Sequence, residues 1–288
     1  MNEERMISNS EVSTWLHCSR KYYFEYVLNV EQKKSPTGPM PPLAKGTFVH
    51  AILEAYYAGK QLGYAEAQCR ADALQIIMDA ASLEGADIAD IGATRDLVMG
   101  YFDKYMDLDD EWEVVAVESK YKAEITERFS LVGTIDLILR NKTTGDFVGV
   151  DHKTAYNFWR PEQIEIAGQF VKYIVLMRAA GMDSAAFMVN QIRTRTVKTG
   201  DLYVRAYTRP TEARVKAVLK QHIKAGNEIM DYRESGSNIE DTIPILDKHG
   251  CANCDFMALC DASIEGSPIA YVLQSEYQER TGYGYNED

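Results

Sequence analysis

Two stretches of β-branched and apolar residues, 129–140 (FSLVGTIDLILR) and 146–152 (DFVGVDH), each carry an aspartate where a strand ordinarily places a neutral side chain. Their composition and the turn residues between them predict neighbouring strands. A carboxylate among such neighbours is costly to bury unless it is paired or binds a cation. Asp136 and Asp151 therefore constrain the fold strongly, because something positive must reach both. Lys153 stands two residues beyond Asp151, and strand alternation puts the two on one face. One reading is a strand-end ion pair between Asp151 and Lys153, with Asp136 capping a turn. The other is a site for a hard divalent ion, Mg2+ or Mn2+, held through oxygen. Such an ion acidifies a water and polarises a phosphoryl oxygen, while Lys153 orients the water or stabilises charge on the phosphate.

Helical patterns surround these strands. Ser10 caps a predicted helix running toward Leu28, interrupted near Cys18, and the four prolines of residues 32–42 predict a loop. Residues 43–57, with Val49, Ile52, Leu53 and Tyr56 on one apolar face, read as a helix, as do 64–82 and 94–106. The period then changes to strands at 113–121, 129–140 and 146–152. A helix over 161–180 stops at Gly181, followed by strands at 184–192 and 202–207 and a long helix over 211–233. The tail from Cys251 reads as short and irregular. Strands in the middle with helices on either side predict an α/β chain in which a central mixed sheet is flanked by helices. Its expected sections are a helical region over 1–110 carrying Cys18 and His50, a core over 111–240, and a cysteine-bearing tail over 241–288 that packs with the N-terminal region.

The order of the polar residues adds a resemblance. Gly46 and His50 (GTFVH) precede the strands, Asp136 follows Gly133 (GTID), Asp151, His152 and Lys153 form an Asp-x-Lys triplet, and Gln169 and Tyr173 (GQFVKY) stand one helical turn apart. This ordered set resembles the RecB-like branch of the PD-(D/E)XK nuclease superfamily. Two departures are that isoleucine, not proline, precedes Asp136, and that the second acid is Asp151 rather than glutamate. The resemblance implies a restriction-endonuclease-like core. It implies His50, Asp136 and Asp151 as metal ligands, with the backbone carbonyl of His152 as a further one. It also implies catalytic roles for Lys153, Asp136, Asp151, Gln169 and Tyr173 in hydrolysing DNA phosphodiesters, as an exonuclease on single strands or duplex ends.

Five cysteines occur, and three of them, Cys251, Cys254 and Cys260, fall within ten residues. Such clustering in a reducing compartment favours metal over disulfide. A fourth ligand is needed, and Cys18, His249 and Cys69 are the candidates. Nucleases of the AddB type and of CRISPR adaptation place one cysteine before the core and three after it, so the resemblance implies a [4Fe–4S] cluster on Cys18, Cys251, Cys254 and Cys260, in a helical annex built from both chain ends. Tetrahedral zinc accepts the same ligands.

With 43 acidic against 31 basic residues the net charge is −12, unlike most nucleic-acid binders. Basic residues do gather locally between Arg193 and Lys224, as a DNA-facing stretch or a solvated helix face. Tyr22, Tyr23, Phe24 and Tyr26 beside Arg20 and Lys21 offer either a platform for unpaired bases or packing for the cysteine-bearing helix, and packing is the favoured reading. No apolar run spans a membrane and no secretory h-region is present, so the cytoplasm is expected. The G-x-x-x-x-G-K-[ST] pattern is absent, and any ATP-driven unwinding would need a helicase or recombination partner. Phage or bacterial recombination nucleases and CRISPR-adaptation nucleases all fit, as do roles in repair and replication. The rival is a non-catalytic DNA-binding or assembly subunit that keeps the fold and the metal staple.

Overall fold

A computed structural model of the chain describes residues 5–33, 42–83, 86–195 and 200–280. Most of the loop expected at 32–42, and Lys198, lie outside the described residues. The chain divides into two compact units, residues 1–36, 124–132 and 219–288 in the first and residues 37–123 and 133–218 in the second. They cut across the three expected sections, since residues 1–110 contribute to both.

The second unit is built on a mixed sheet. Its strands are β3 (Trp112–Thr126), β4 (Phe129–Asn141), β5 (Phe147–Ala155), β6 (Phe187–Arg193) and β7 (Tyr203–Thr208), with the end of β3 and the start of β4 counted in the first unit. β3 pairs with β4, β4 runs antiparallel to β5, β5 parallel to β6, and β6 antiparallel to β7. A parallel pair needs a crossover, supplied here by α6 (Pro161–Ile166) and α7 (Gly168–Ala179). The single helix expected over 161–180 is broken at Ala167, whose ψ of 102° leaves the helical region.

Alternation sorts the side chains of this sheet. Leu137, Leu139, Val148, Val150, Met188 and Ile192 pack with Val49, Ile52, Leu53, Tyr56, Val98, Tyr101 and Phe102. Those partners come from the helices α3 (Pro42–Gln61) and α5 (Ile88–Asp109), with α4 (Glu66–Ala81) adding Ala73 and Ile77. The opposite face of the strands meets α7, where a Cβ at Gly149 would collide with Phe187 and with Met177 Sδ. Glycine at this position lets the crossover helix lie close on the sheet.

The first unit joins both chain ends. β1 (Arg5–Ser8) pairs in parallel with the start of β4, Arg5 opposite Phe129 and Ser8 opposite Val132. α1 (Asn9–His17), α2 (Ser19–Tyr22) and a π-helical turn (Tyr23–Val27) follow. Ile7, Val12, Tyr22 and Phe129 form a core with Ala225, Ile229 and Tyr232 of α8 (Glu212–Glu234). The tail is not irregular. It folds as α9 (Lys248–Cys251), α10 (Met257–Ile264), α11 (Ile269–Glu276) and β8 (Tyr277–Glu279), the last pairing antiparallel with β2 (Val30–Gln32). Phe24 packs with Phe256, Leu259 and Tyr277 in a second small core. Tyr22 is fully buried and gives its hydroxyl to Glu11, so the packing reading of the aromatic run holds and a base-stacking platform at Tyr22 or Phe24 does not.

Candidate active site

β4 and β5 bring the two aspartates together beyond their last register pair, Leu137 opposite Val150. The Asp136 carboxylate accepts the backbone N–H of His152 at 2.7 Å, so Asp136 does not cap a turn. Asp151 is buried. Its Oδ1 accepts Lys153 Nζ at 3.0 Å and Gln169 Nε2 at 2.9 Å. Its Oδ2 lies 2.8 Å from the same ammonium but makes no hydrogen bond. Gln169 also donates to the Tyr173 hydroxyl at 3.0 Å, as their spacing of one helical turn allows. Gln169 thus reaches Asp151 rather than the lysine, and the break at Ala167 starts α7 afresh one residue before it.

His50, on α3, faces the same place. Its Nε2 donates to the His152 carbonyl at 2.7 Å, which leaves Nδ1 3.5 Å from Asp136 Oδ2 and 3.9 Å from Glu118 Oε1. One ligand atom each of His50, Glu118 and Asp136 lie within 4.8 Å of one another, the one such group of three among the described residues. Asp151 stands beside this trio rather than in it. Glu118 is not among the residues the sequence reading singles out. The signal available was a carboxylate inside an otherwise strand-like stretch, VVAVESKY. In the structure its φ of 41° marks a left-handed residue within β3, an uncommon conformation for a non-glycine.

The electrostatics follow from burial of like charges. Burial, then the neighbouring Asp151, pushes Asp136 up to about 7. Burial also raises Asp151, against the opposing pull of Lys153. Burial draws His50 down, but Glu118, Asp136 and the His152 carbonyl outweigh it and its net shift is upward. The His152 ring points away from the aspartates, bonded through Nδ1 to Asn190 at 2.7 Å, and burial and His50 hold it well below the usual imidazole range. Only its backbone takes part, the N–H on Asp136 and the carbonyl on His50.

This donor set fits a divalent cation. It offers one imidazole nitrogen and carboxylate oxygens, including two carboxyls whose burial disfavours their charge. A positive ion would offset each of these costs.

The cysteines belong to the first unit. Cys18, between α1 and α2, meets Cys251, Cys254 and Cys260 around a cavity of about 390 Å³ also lined by Arg20 and Lys21. Cys18, rather than His249 or Cys69, joins the triplet there. All four thiols are free, and burial pushes Cys260 up to about 11. Cys69 is buried in α4 against Gly59, where a Cβ would come 3.0 Å from its sulfur.

Among the described residues no helix is long and apolar enough to cross a membrane. No curated protein sequence matches the chain. A proposed exonuclease from Eubacterium rectale shares the fold, with a TM-score of 0.51 at 13% identity over 88% of this chain and 89% of that one. LHK-Exo, solved in complex with dAMP, is a more distant likeness, with a TM-score of 0.31 at 13% identity over 66% of this chain and 98% of that one. The sequence itself matches the PD-(D/E)XK nuclease superfamily over residues 6–261 of its 288. The chain with its acid, lysine and histidine cluster on β4 and β5 therefore belongs to the PD-(D/E)XK nuclease superfamily, whose members use divalent metals.

Proposed function

We propose that the protein is a Mg2+- or Mn2+-dependent DNA exonuclease of the RecB-like branch, acting on single strands or DNA ends. The observation that carries this reading is the approach of His50, Glu118 and Asp136 to within 4.8 Å beside the Asp151–Lys153–Gln169 set. His50 Nδ1, Glu118 and Asp136 would hold the ion, joined by Asp151, while the His152 carbonyl is taken by His50 Nε2 and orients the ring instead of ligating. When bound, the ion supplies Lewis-acid polarisation of the phosphoryl oxygen and an acidified water.

The remaining steps belong to the chain. Lys153, steadied by Asp151, presents its ammonium to the attacking water and to the charge that develops on the phosphate. Gln169 gives Asp151 a second donor beside Lys153, and Tyr173 fixes Gln169 in turn. The hydrogen bond from His50 Nε2 to the His152 carbonyl keeps the imidazole turned with Nδ1 toward the carboxylates.

A [4Fe–4S] cluster on Cys18, Cys251, Cys254 and Cys260 belongs to the same proposal. Its support is the four free thiols around one cavity. Tetrahedral zinc would accept the same four thiolates. Zinc without sulfide in anaerobically purified protein would overturn this part.

End-labelled single- and double-stranded DNA incubated with Mn2+ tests the activity, with Lys153→Ala as control. Cleavage that the substitution abolishes in a folded protein supports the reading, and the fate of the label gives the polarity. An intact wild type that leaves both substrates uncut would favour the non-catalytic DNA-binding subunit instead.

A further inference from the structure

The ends of β5 and β6 run side by side past the candidate active site, with Lys153 opposite Gln191 and Ala155 opposite Arg193. In-register partners on parallel strands send their side chains to one face, so Arg193 stands on the face of Asp151 and Lys153. At a strand rise of about 3.3 Å per residue, the Ala155–Arg193 pair lies about 7 Å beyond Lys153. There the Arg193 guanidinium sits 4.0 Å over the ring of Phe158, and that of Arg195 5.0 Å over the ring of Tyr156.

Two features combine in these arginines, the first of them shared with Arg205. The Nε atoms of both are buried without a hydrogen-bond partner, and among the described residues neither side chain has an ion-pair partner. In a chain of net charge −12 several arginines find carboxylates, as Arg205 does on Asp109, Arg70 on Asp103 and Arg140 on Glu113. The aromatic loop beneath them is also fixed. Trp159 N–H donates to Gln191 Oε1 at 2.6 Å, and Thr194 N–H to the Ala155 carbonyl at 3.0 Å. Tyr156 remains 66% exposed. Two cations held on aromatic faces, with no ion-pair partner among the described residues and next to the candidate active site, suit an anionic ligand with repeated charge and a flat apolar part. A single nucleic-acid strand has both.

We propose that Arg193 and Arg195 grip successive phosphates of a single DNA strand adjoining the scissile one, and that Tyr156 stacks on an unpaired base of that strand. This rests on the nuclease reading above and adds the track along which the substrate lies. The test is binding of a labelled oligothymidylate and a blunt duplex of equal length to the uncleaving Lys153→Ala protein across a range of salt. Adding Arg193→Ala and Arg195→Ala is expected to reduce the salt slope for the single strand by about 1.4, or about 0.7 for each phosphate no longer gripped. Tyr156→Ala is expected to weaken single-strand binding about tenfold with the slope unchanged. Lys216→Ala with Lys220→Ala, on exposed α8 positions, should leave the slope as it was. If the double alanine variant misfolds by circular dichroism, Arg195→Glu alone carries the test, with a slope lowered by at least about 0.7.

An unchanged slope in the folded arginine variants would overturn the proposal, as would tighter binding of the duplex than of the single strand. Wild-type protein that still cleaves DNA would then leave the nuclease reading standing. Protein that neither binds nor cleaves either substrate would remove both.

Discussion

The candidate metal site of the second unit and the cysteine cavity of the first gather ligands in different ways. At the metal site, polar bonds from neighbouring elements fix the donors before any ion arrives. His152 N–H holds Asp136, Lys153 and Gln169 hold Asp151, and the His152 carbonyl orients His50. At the cysteine cavity, packing does the positioning. Phe24, Phe256, Leu259 and Tyr277 and the short β2–β8 ladder bring together residues from opposite ends of the chain. The polar neighbours of Cys18 Sγ are long ones, the Lys21 N–H at 3.4 Å and the Ile243 carbonyl at 3.9 Å. A site built on polar bonds concentrates like charge for chemistry and gains little stability from it. A site built on packing gains stability from whatever cross-links it. The two should therefore respond in opposite senses to removal of a ligand.

The largest expected effect is on activity. Asp136→Asn should lower DNA cleavage by about a thousandfold or more without lowering the melting temperature, because it removes one of two neighbouring buried carboxyls. Rate assays beside thermal melts check this, and a variant that melts well below wild type would show that Asp136 holds the fold. Cys18→Ser should do the reverse. With the proposed cluster in place, it opens a loop of 233 residues between Cys18 and Cys251, so stability should fall by on the order of 4 kcal/mol with loss of the cluster's iron and sulfide. Chemical denaturation with iron and sulfide analysis reads both. Unchanged stability in the metal-free variant would mean that packing alone holds the first unit together.

Lys172 gives a smaller, pH-dependent effect within the second unit. It is buried on α7, and burial alone brings it down to about 7. A lysine lowered on folding binds fewer protons than in the unfolded chain between about pH 7 and its ordinary value, so stability rises with pH across that window. Lys172→Met should therefore be more stable than wild type by up to about 4 kcal/mol at pH 6, with the gain shrinking as pH approaches 10. A constant difference across denaturation curves at several pH values would refute this origin. The smallest effect belongs to Gln169→Ala, which removes one hydrogen bond to the Asp151 carboxylate. Cleavage should fall about tenfold, mostly in kcat rather than KM, and a purely KM effect would assign Gln169 to DNA binding instead.

Much of this was legible in the sequence. The strands bearing Asp136, Asp151 and Lys153 and the long helices before them follow from periodicity over many residues, and they form near the expected places. The misses share a cause. β1, β2 and β8 are three or four residues long, and the tail helices α9, α10 and α11 run to only four or eight, too short to persist without tertiary contacts. The break at Ala167 was hidden because the residues on either side keep helical spacing.

By itself the sequence determined the local geometry of the chemistry. Strand alternation sets Asp151 and Lys153 on one face, one helical turn aligns Gln169 with Tyr173, and the spacing of Cys251, Cys254 and Cys260 gathers three thiols. These relations follow from covalent geometry within a few residues. Only the tertiary structure decided that Glu118 joins His50 and Asp136, and that the His152 ring turns to Asn190 while its backbone serves the site. Those choices depend on how α3, β3 and α7 pack around β4 and β5. Packing between segments distant in sequence obeys no period that a single strand or helix records.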